Sequence, residues 1–240
     1  MVDTSEPQAA QTIRNLTKLS RNLGELEVPR ETATAVALGL GWWMRSIRTA
    51  GAVRLLHKNG LSQEASPLLR TLLIHAAAIE WLRQFPNAAL EAVRYEHEDY
   101  RQKLYQKAHM RRWDLTGVDL GPPPSGEKPD GLVLLREVEK LCTRIGSEHL
   151  YVAYKIESPY SHPSALSADS YFDPPLEDSG MPQLRDHPSV AAVPLRVAAT
   201  FALCATNSLG QLGRLSRLTD ESNRLADRLG VTDQLTGNPG

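Results

Sequence analysis

Residues 62–85 read SQEASPLLRTLLIHAAAIEWLRQF, and their spacing decides the fold. Ala65, Leu68, Leu69, Leu72, Ala76 and Ile79 recur at helical intervals, while Ile74, Ala77 and Trp81 form a second apolar stripe. A helix that is apolar on more than one side must be covered on more than one side, so this one belongs at the centre of a bundle.

Working outward, Asn59, Gly60, Leu61 and Ser62 read as a helix stop followed at once by a helix start. Such a short connection makes the segment from Pro29 to Lys58 and the helix from Ser62 to Phe85 an antiparallel hairpin. Gly39, Gly41 and Gly51 are expected to let a neighbouring helix come close, and Trp42, Trp43 and Trp81 to lie in the core or at an interface. Upstream, Ile13, Leu16, Leu19 and Leu23 mark an amphipathic helix over Ala9 to Leu26, preceded by a disordered tip, 1–8. Downstream, Asn87 is expected to cap a charged helix running to about Arg112. The loop Gly121 to Pro129 follows, then a compact helix capped by Asp130 and ended by Gly146, with Leu132, Leu135, Val138, Leu141, Cys142 and Ile145 facing inward. Ser147 restarts helix, and residues 167–188, which have no period, read as a long loop or flap. A last long helix from Ser189 to about Leu218 and a short one from Asp220 to Leu229 precede a frayed tail, 231–240. No repeat and no strand signal interrupts this pattern. The expectation is an all-α antiparallel multi-helix bundle of about seven helices with two long loops, forming one domain over 9–230.

Composition narrows the function classes. The chain has 240 residues, of which 41% are hydrophobic, enough for a core without staples. Its net charge of −1 gives no global field to recruit nucleic acid. The two cysteines, Cys142 and Cys204, fall in apolar helical patterns and read as buried free thiols, which fits a reducing cytoplasm. The start, MVDTSEPQ, is polar, and neither apolar window spans a bilayer: Thr34 to Met44 is too short, and Val190 to Leu203 carries Pro194 and Arg196. The expected location is therefore cytoplasmic, with no membrane partner. A Gly-rich phosphate loop, a G-x-S-x-G elbow, H-E-x-x-H and a di-iron E-x-x-H pair are all missing from the sequence, so neither metal nor cofactor is expected.

Polar residues in apolar stripes point to the candidate site. Arg70 lies in line with Ile74 and Ala77, where an unpaired guanidinium is costly, so it needs a partner from another helix. Arg196 repeats the pattern among Ala192, Val193, Ala199, Thr200 and Leu203. The partners are expected from Tyr151 to Ser164, YVAYKIESPYSHPS, where Tyr154, Ser158 and His162 are spaced four and four. Pro159 disfavours a straight helix there and favours a bend presenting Tyr160, Ser161 and His162. The expected ligand-binding residues are Tyr154, Ser158, Ser161 and Arg196, and the expected catalytic ones Arg70, His75 and His162. The plainer reading of the same residues is structural: arginines satisfied by carboxylates or carbonyls, a core histidine at 75, and hydroxyls bonded to helix ends.

The helix EASPLLRTLLIHAAAIEWL followed by YKIESPYSHPS resembles a family of uncharacterised all-helical bacterial proteins, with an R-x-x-x-E-H-like helix before a Y-x-x-x-S-x-x-x-H-P-S-like segment. The resemblance carries over Arg70, His75, Tyr154, Ser158 and His162; Ile74 stands where the acidic residue is expected, and Pro159 interrupts the second motif. More loosely, RTLLIH is similar to the R-x4-H pattern of HEPN-like ribonucleases, toxins and phage-defence proteins. That likeness implies an arginine stabilising charge on a scissile phosphate and a histidine moving protons, without metal and across a homodimer interface. Two readings therefore stay open: a helical module that binds a small ligand or partner, and a metal-independent ribonuclease acting on RNA.

Overall fold

A computed structural model of the chain describes residues 5–114, 116–118, 126–173, 183–185 and 194–232. In order, the helices are α1 (Ser5–Arg21), α2 (Ala33–Lys58), α3 (Ser66–Gln84), α4 (Pro86–Met110), α5 (Val138–Arg144), α6 (Glu148–Glu157), α7 (Ala165–Asp169), α8 (Pro194–Gly213) and α9 (Ser216–Leu229). Two-residue strands, β1 (Phe172–Asp173) and β2 (Gln183–Leu184), pair antiparallel with Phe172 opposite Leu184. The architecture is all-α, and among the described residues β1 and β2 are the one departure, a pair too short to have left an alternating pattern in the sequence.

The centre is where the two apolar stripes of residues 62–85 require it. α3 packs most extensively on α2 and α8, and Leu69, Leu72, Leu73, Ala77, Ile79, Trp81 and Leu82 are all but fully buried. α8 is buried along nearly its whole length, while α1 and α9 cover its outer sides. Inside, Trp43 of α2 donates its indole N–H to Thr206 Oγ1 of α8 at 2.9 Å, and Thr206 donates to the Ala202 carbonyl at 2.7 Å. None of the described helices is long and apolar enough to cross a membrane.

Several boundaries differ from those expected. Residues 5–8 are the first turn of α1, not part of a disordered tip; residues 1–4 lie outside the described residues. α1 stops at Arg21 because Asn22 closes the last turn and Gly24, at φ 72°, turns the chain. α2 begins at Ala33, since Pro29–Thr32 closes as a turn, and α3 is entered through a 3-10 turn, Gln63–Ala65. Asn87 does not cap α4; Phe85 occupies that place and Pro86 starts the helix, where a missing N–H costs nothing. The compact helix from Asp130 is split into a 3-10 turn, Asp130–Val133, and α5, because Glu137 is extended. The expected loop 121–129 lies largely outside the described residues, as do most of 167–188 and the start of the last long helix, of which α8 is described from Pro194. The tail is described only to Thr232.

Of the three α2 glycines, only Gly39 sits against a neighbour: a Cβ there would meet Leu209 Cδ1 at 3.1 Å, whereas Gly41 and Gly51 face open space. The tightest helix contact is instead at Gly210 of α8, where a Cβ would stand 2.7 Å from Thr219 Cγ2 and 3.0 Å from the Thr219 backbone nitrogen. Gly210→Ala must therefore push α9 away and lowers stability by about 1–3 kcal/mol in urea unfolding. Gly41→Ala, with nothing to displace, raises it by about 0.5–1 kcal/mol. Equal effects from the two substitutions would refute this account of α8–α9 packing.

Candidate functional site

Arg70 leaves the first turns of α3 half-buried and reaches towards the end of α6. Its guanidinium donates to the phenol oxygen of Tyr154 and leans over the same ring, with Cζ 4.5 Å from the centroid. A second guanidinium nitrogen lies 2.7 Å from His162 Nε2. Because arginine only donates, that nitrogen must accept, which places the ring proton of the neutral histidine on Nδ1. Arg70 Nε is buried with no hydrogen-bond partner, as is Gln63 Oε1 seven residues upstream. No carboxylate among the described residues pairs with this arginine.

Pro159 explains how His162 arrives there. α6 ends at Glu157, a 3-10 turn over Pro159–Ser161 swings the chain, and His162 is extended at φ −135°, ψ 157°. Ser164 then caps α7 in a reciprocal box with Ser167, both bonds at 3.0 Å, which fixes the chain just after the histidine.

Other expected members of the set are elsewhere. Ser158 and Ser161 donate back to the carbonyls of Tyr154 and Glu157, at 2.8 and 2.9 Å, so neither hydroxyl meets Arg70. His75 Nδ1 is held by the Thr71 carbonyl at 2.7 Å on a different side of α3, since five residues do not return to the same face. Arg196 is exposed on α8 rather than enclosed in an apolar run, because Ala198, Ala199 and Leu203 take the buried side.

Two acids lie close in the chain to these residues and were not singled out from the sequence. Ser66 donates to Glu157 Oε2 at 2.6 Å, and Tyr171 donates to Glu64 Oε1 at 2.6 Å. Burial pushes the Glu157 carboxyl above the usual range, against the opposing pull of the Ser66 bond. The Tyr171 phenol is raised first by its bond to Glu64 and then by burial. Glu157 lies within YKIESPYSHPS, but a glutamate at a helix end carries no mark in the sequence that it will be enclosed.

A second polar group occupies the other end of α3. Glu80 Oε1 accepts from Arg83 at 2.5 Å and Gln84 at 2.7 Å; Oε2 accepts from Arg83 Nε and Ser208 Oγ, both at 2.8 Å. Burial opposes its ionisation, and the bonds from Arg83, Gln84 and Ser208 together outweigh burial and hold the carboxyl below its ordinary value. These groups line a cavity of about 420 Å³ with Ile145, Ser147, His149, Cys204 and Asn207. With four donors the carboxylate is saturated, so it joins α3 to α8 and offers nothing to a ligand. The adjoining Cys204 thiol is pushed up to about 12 by burial and by Glu80, and the Cys142 thiol to about 11, so neither is a nucleophile.

Residues 36–119 match the family of unknown function DUF5677. No curated protein and no solved structure matches the chain. The matched stretch holds α3 and α4 and most of α2, with Arg70, His75 and Glu80, and it agrees with the resemblance to an uncharacterised family. It ends before Tyr154 and His162, so the arginine and its two partners come from different parts of the chain with respect to that match.

Proposed function

We propose that the chain is a helical module that binds a small anionic ligand, a phosphate or a carboxylate, where Arg70, Tyr154 and His162 meet. The observation that carries this reading is a half-buried guanidinium answered, among the described residues, only by a phenol and a neutral imidazole, with a buried Nε left over. A cation placed so loses hydration without gaining a counter-charge, and an anion approaching the exposed His162 side supplies it. The planar fork of arginine suits the paired oxygens of both ligand types.

The test is calorimetry with inorganic phosphate, a small carboxylate and a nucleoside monophosphate. The wild type is expected to bind at least one of them, and Arg70→Ala to lose roughly ten- to hundredfold in affinity, the worth of one or two charge-assisted hydrogen bonds. A wild type that binds none at millimolar concentration, or an Arg70→Ala variant that binds as well, ends this reading.

One contact favours a second reading, a metal-independent HEPN-like ribonuclease. The 2.7 Å approach of Arg70 to His162 sets a charge-stabilising group beside a proton carrier, the pair that attack of a ribose 2′-hydroxyl on its phosphate requires. Labelled RNA incubated with the wild type, Arg70→Ala and His162→Ala decides it: cleavage lost in both variants supports the enzyme, and cleavage retained in both removes it.

A further inference from the structure

Beyond its first turns α4 is covered only thinly by the rest of the chain. Ala89 and Ala92 anchor its first turns, but beyond them Ala108 is its one buried residue. Its outer side carries large apolar groups: Tyr100 is 60% exposed, Leu104 50% and Met110 73%. Val93, Glu96, Tyr100, Leu104, Lys107 and Arg111 follow one another at steps of three and four, so they share one face some 18 residues, or about 27 Å, long. The face is acidic at its first end, apolar in the middle and basic at its last end. Neither Glu96 nor Lys107 has a salt-bridge partner among the described residues.

We infer that this face of α4 pairs with the same face of a second copy, the two helices running in opposite directions about a two-fold axis level with residue 102. The arithmetic of the helix favours that occupant. Reversal about this level sets Tyr100 against the partner copy's residue 104, and Val93 against its residue 111. It sets Glu96 against its residue 107 to within one residue's rise, about 1.5 Å. The acidic end of each helix then meets the basic end of the other, and the exposed apolar middle is covered, in the self-complementary pattern that a two-fold interface demands. A polyanion such as RNA would complement only the basic end and would meet Glu96 and a bare Leu104 on the rest; a reversed copy complements both halves.

The test is sedimentation equilibrium of the full chain across micromolar concentrations, with Glu96→Lys and Lys107→Glu variants. The wild type is expected to dimerise, and each variant alone to weaken the dimer by about tenfold or more, because each turns two attractions into two repulsions. An equimolar mixture of the two variants restores association, since every facing pair is then opposite in charge, and so does the double variant. Unchanged thermal melts of the variants exclude unfolding as the cause. A wild type that stays monomeric throughout, a dimer indifferent to both substitutions, or a monomer that gains an RNA shift lost in Lys107→Glu, each overturns the inference.

Discussion

Trp43→Ala lowers the free energy of unfolding by about 3–5 kcal/mol, the range for removing a large aromatic side chain from a core that cannot collapse around the space. Three features place it at the upper part of that range. The side chain is fully buried, it lies between α2 and α8 next to the central α3, and its N–H satisfies Thr206 Oγ1. For a chain of this size the loss corresponds to a fall in Tm of about 10 °C or more. Trp43→Phe keeps most of the ring and removes the donor, so its cost is smaller, about 1–2 kcal/mol. Urea unfolding followed by circular dichroism measures both, and a Trp43→Ala variant within 1 kcal/mol of the wild type would show that the α2–α8 contact is not a tightly packed core.

Glu80→Ala is expected to cost about 3 kcal/mol at neutral pH. The figure sits at the low end for breaking a buried ion pair because the side chains are partly wet, Arg83 being 32% exposed and Glu80 22%. What is lost is a junction: one carboxylate gathers Arg83 and Gln84 of its own helix and Ser208 of α8, and Gln84 in turn reaches the Ile145 carbonyl at 3.2 Å. Glu80→Gln keeps the shape and loses the charge, so it isolates the ionic part. The sign of its pH dependence follows from the depressed folded value. A carboxyl that ionises more readily when folded contributes stability above its unfolded value and loses it as pH falls through the folded one. The gap between wild type and Glu80→Gln is therefore full near neutrality and closes as pH falls below about 4. Comparing the two proteins, rather than the wild type with itself, cancels the similar behaviour of Asp99 and Glu221. A gap that widens towards acid would mean that folding raises the Glu80 carboxyl rather than lowering it.

The cavity beside Glu80 and the Arg70 group lie at opposite ends of one helix, and they were unequally readable. Arg70 stood out because a guanidinium in line with Ile74 and Ala77 breaks an apolar stripe, and the spacing of Tyr154 and His162 suggested where its partners were. Glu80 is less distinctive in the sequence, since a glutamate three residues before an arginine is ordinary on any helix surface. What made it a junction is Ser208, which lies 128 residues away and has no sequence feature tying it to α3. The serines show the opposite error. Ser158 follows Tyr154 at helical spacing and Ser161 lies in the bend, yet a serine near a helix end bonds most cheaply to the carbonyl one turn back, and both do so.

By itself the sequence determined the all-α class, the placing of most helices and the central role of α3, because each follows from local periodicity and from where glycine and proline interrupt it. It also determined that Arg70 required a partner, since that is a matter of burying charge. Only the tertiary structure decided which partners arrive: Tyr154 and His162 but not Ser158, Ser161 or His75, and an exposed side for Arg196. The reason is physical. Periodicity states which side of a helix is apolar, but the angle at which two helices meet, and hence which polar groups come within 3 Å, is set by packing summed over the whole interior.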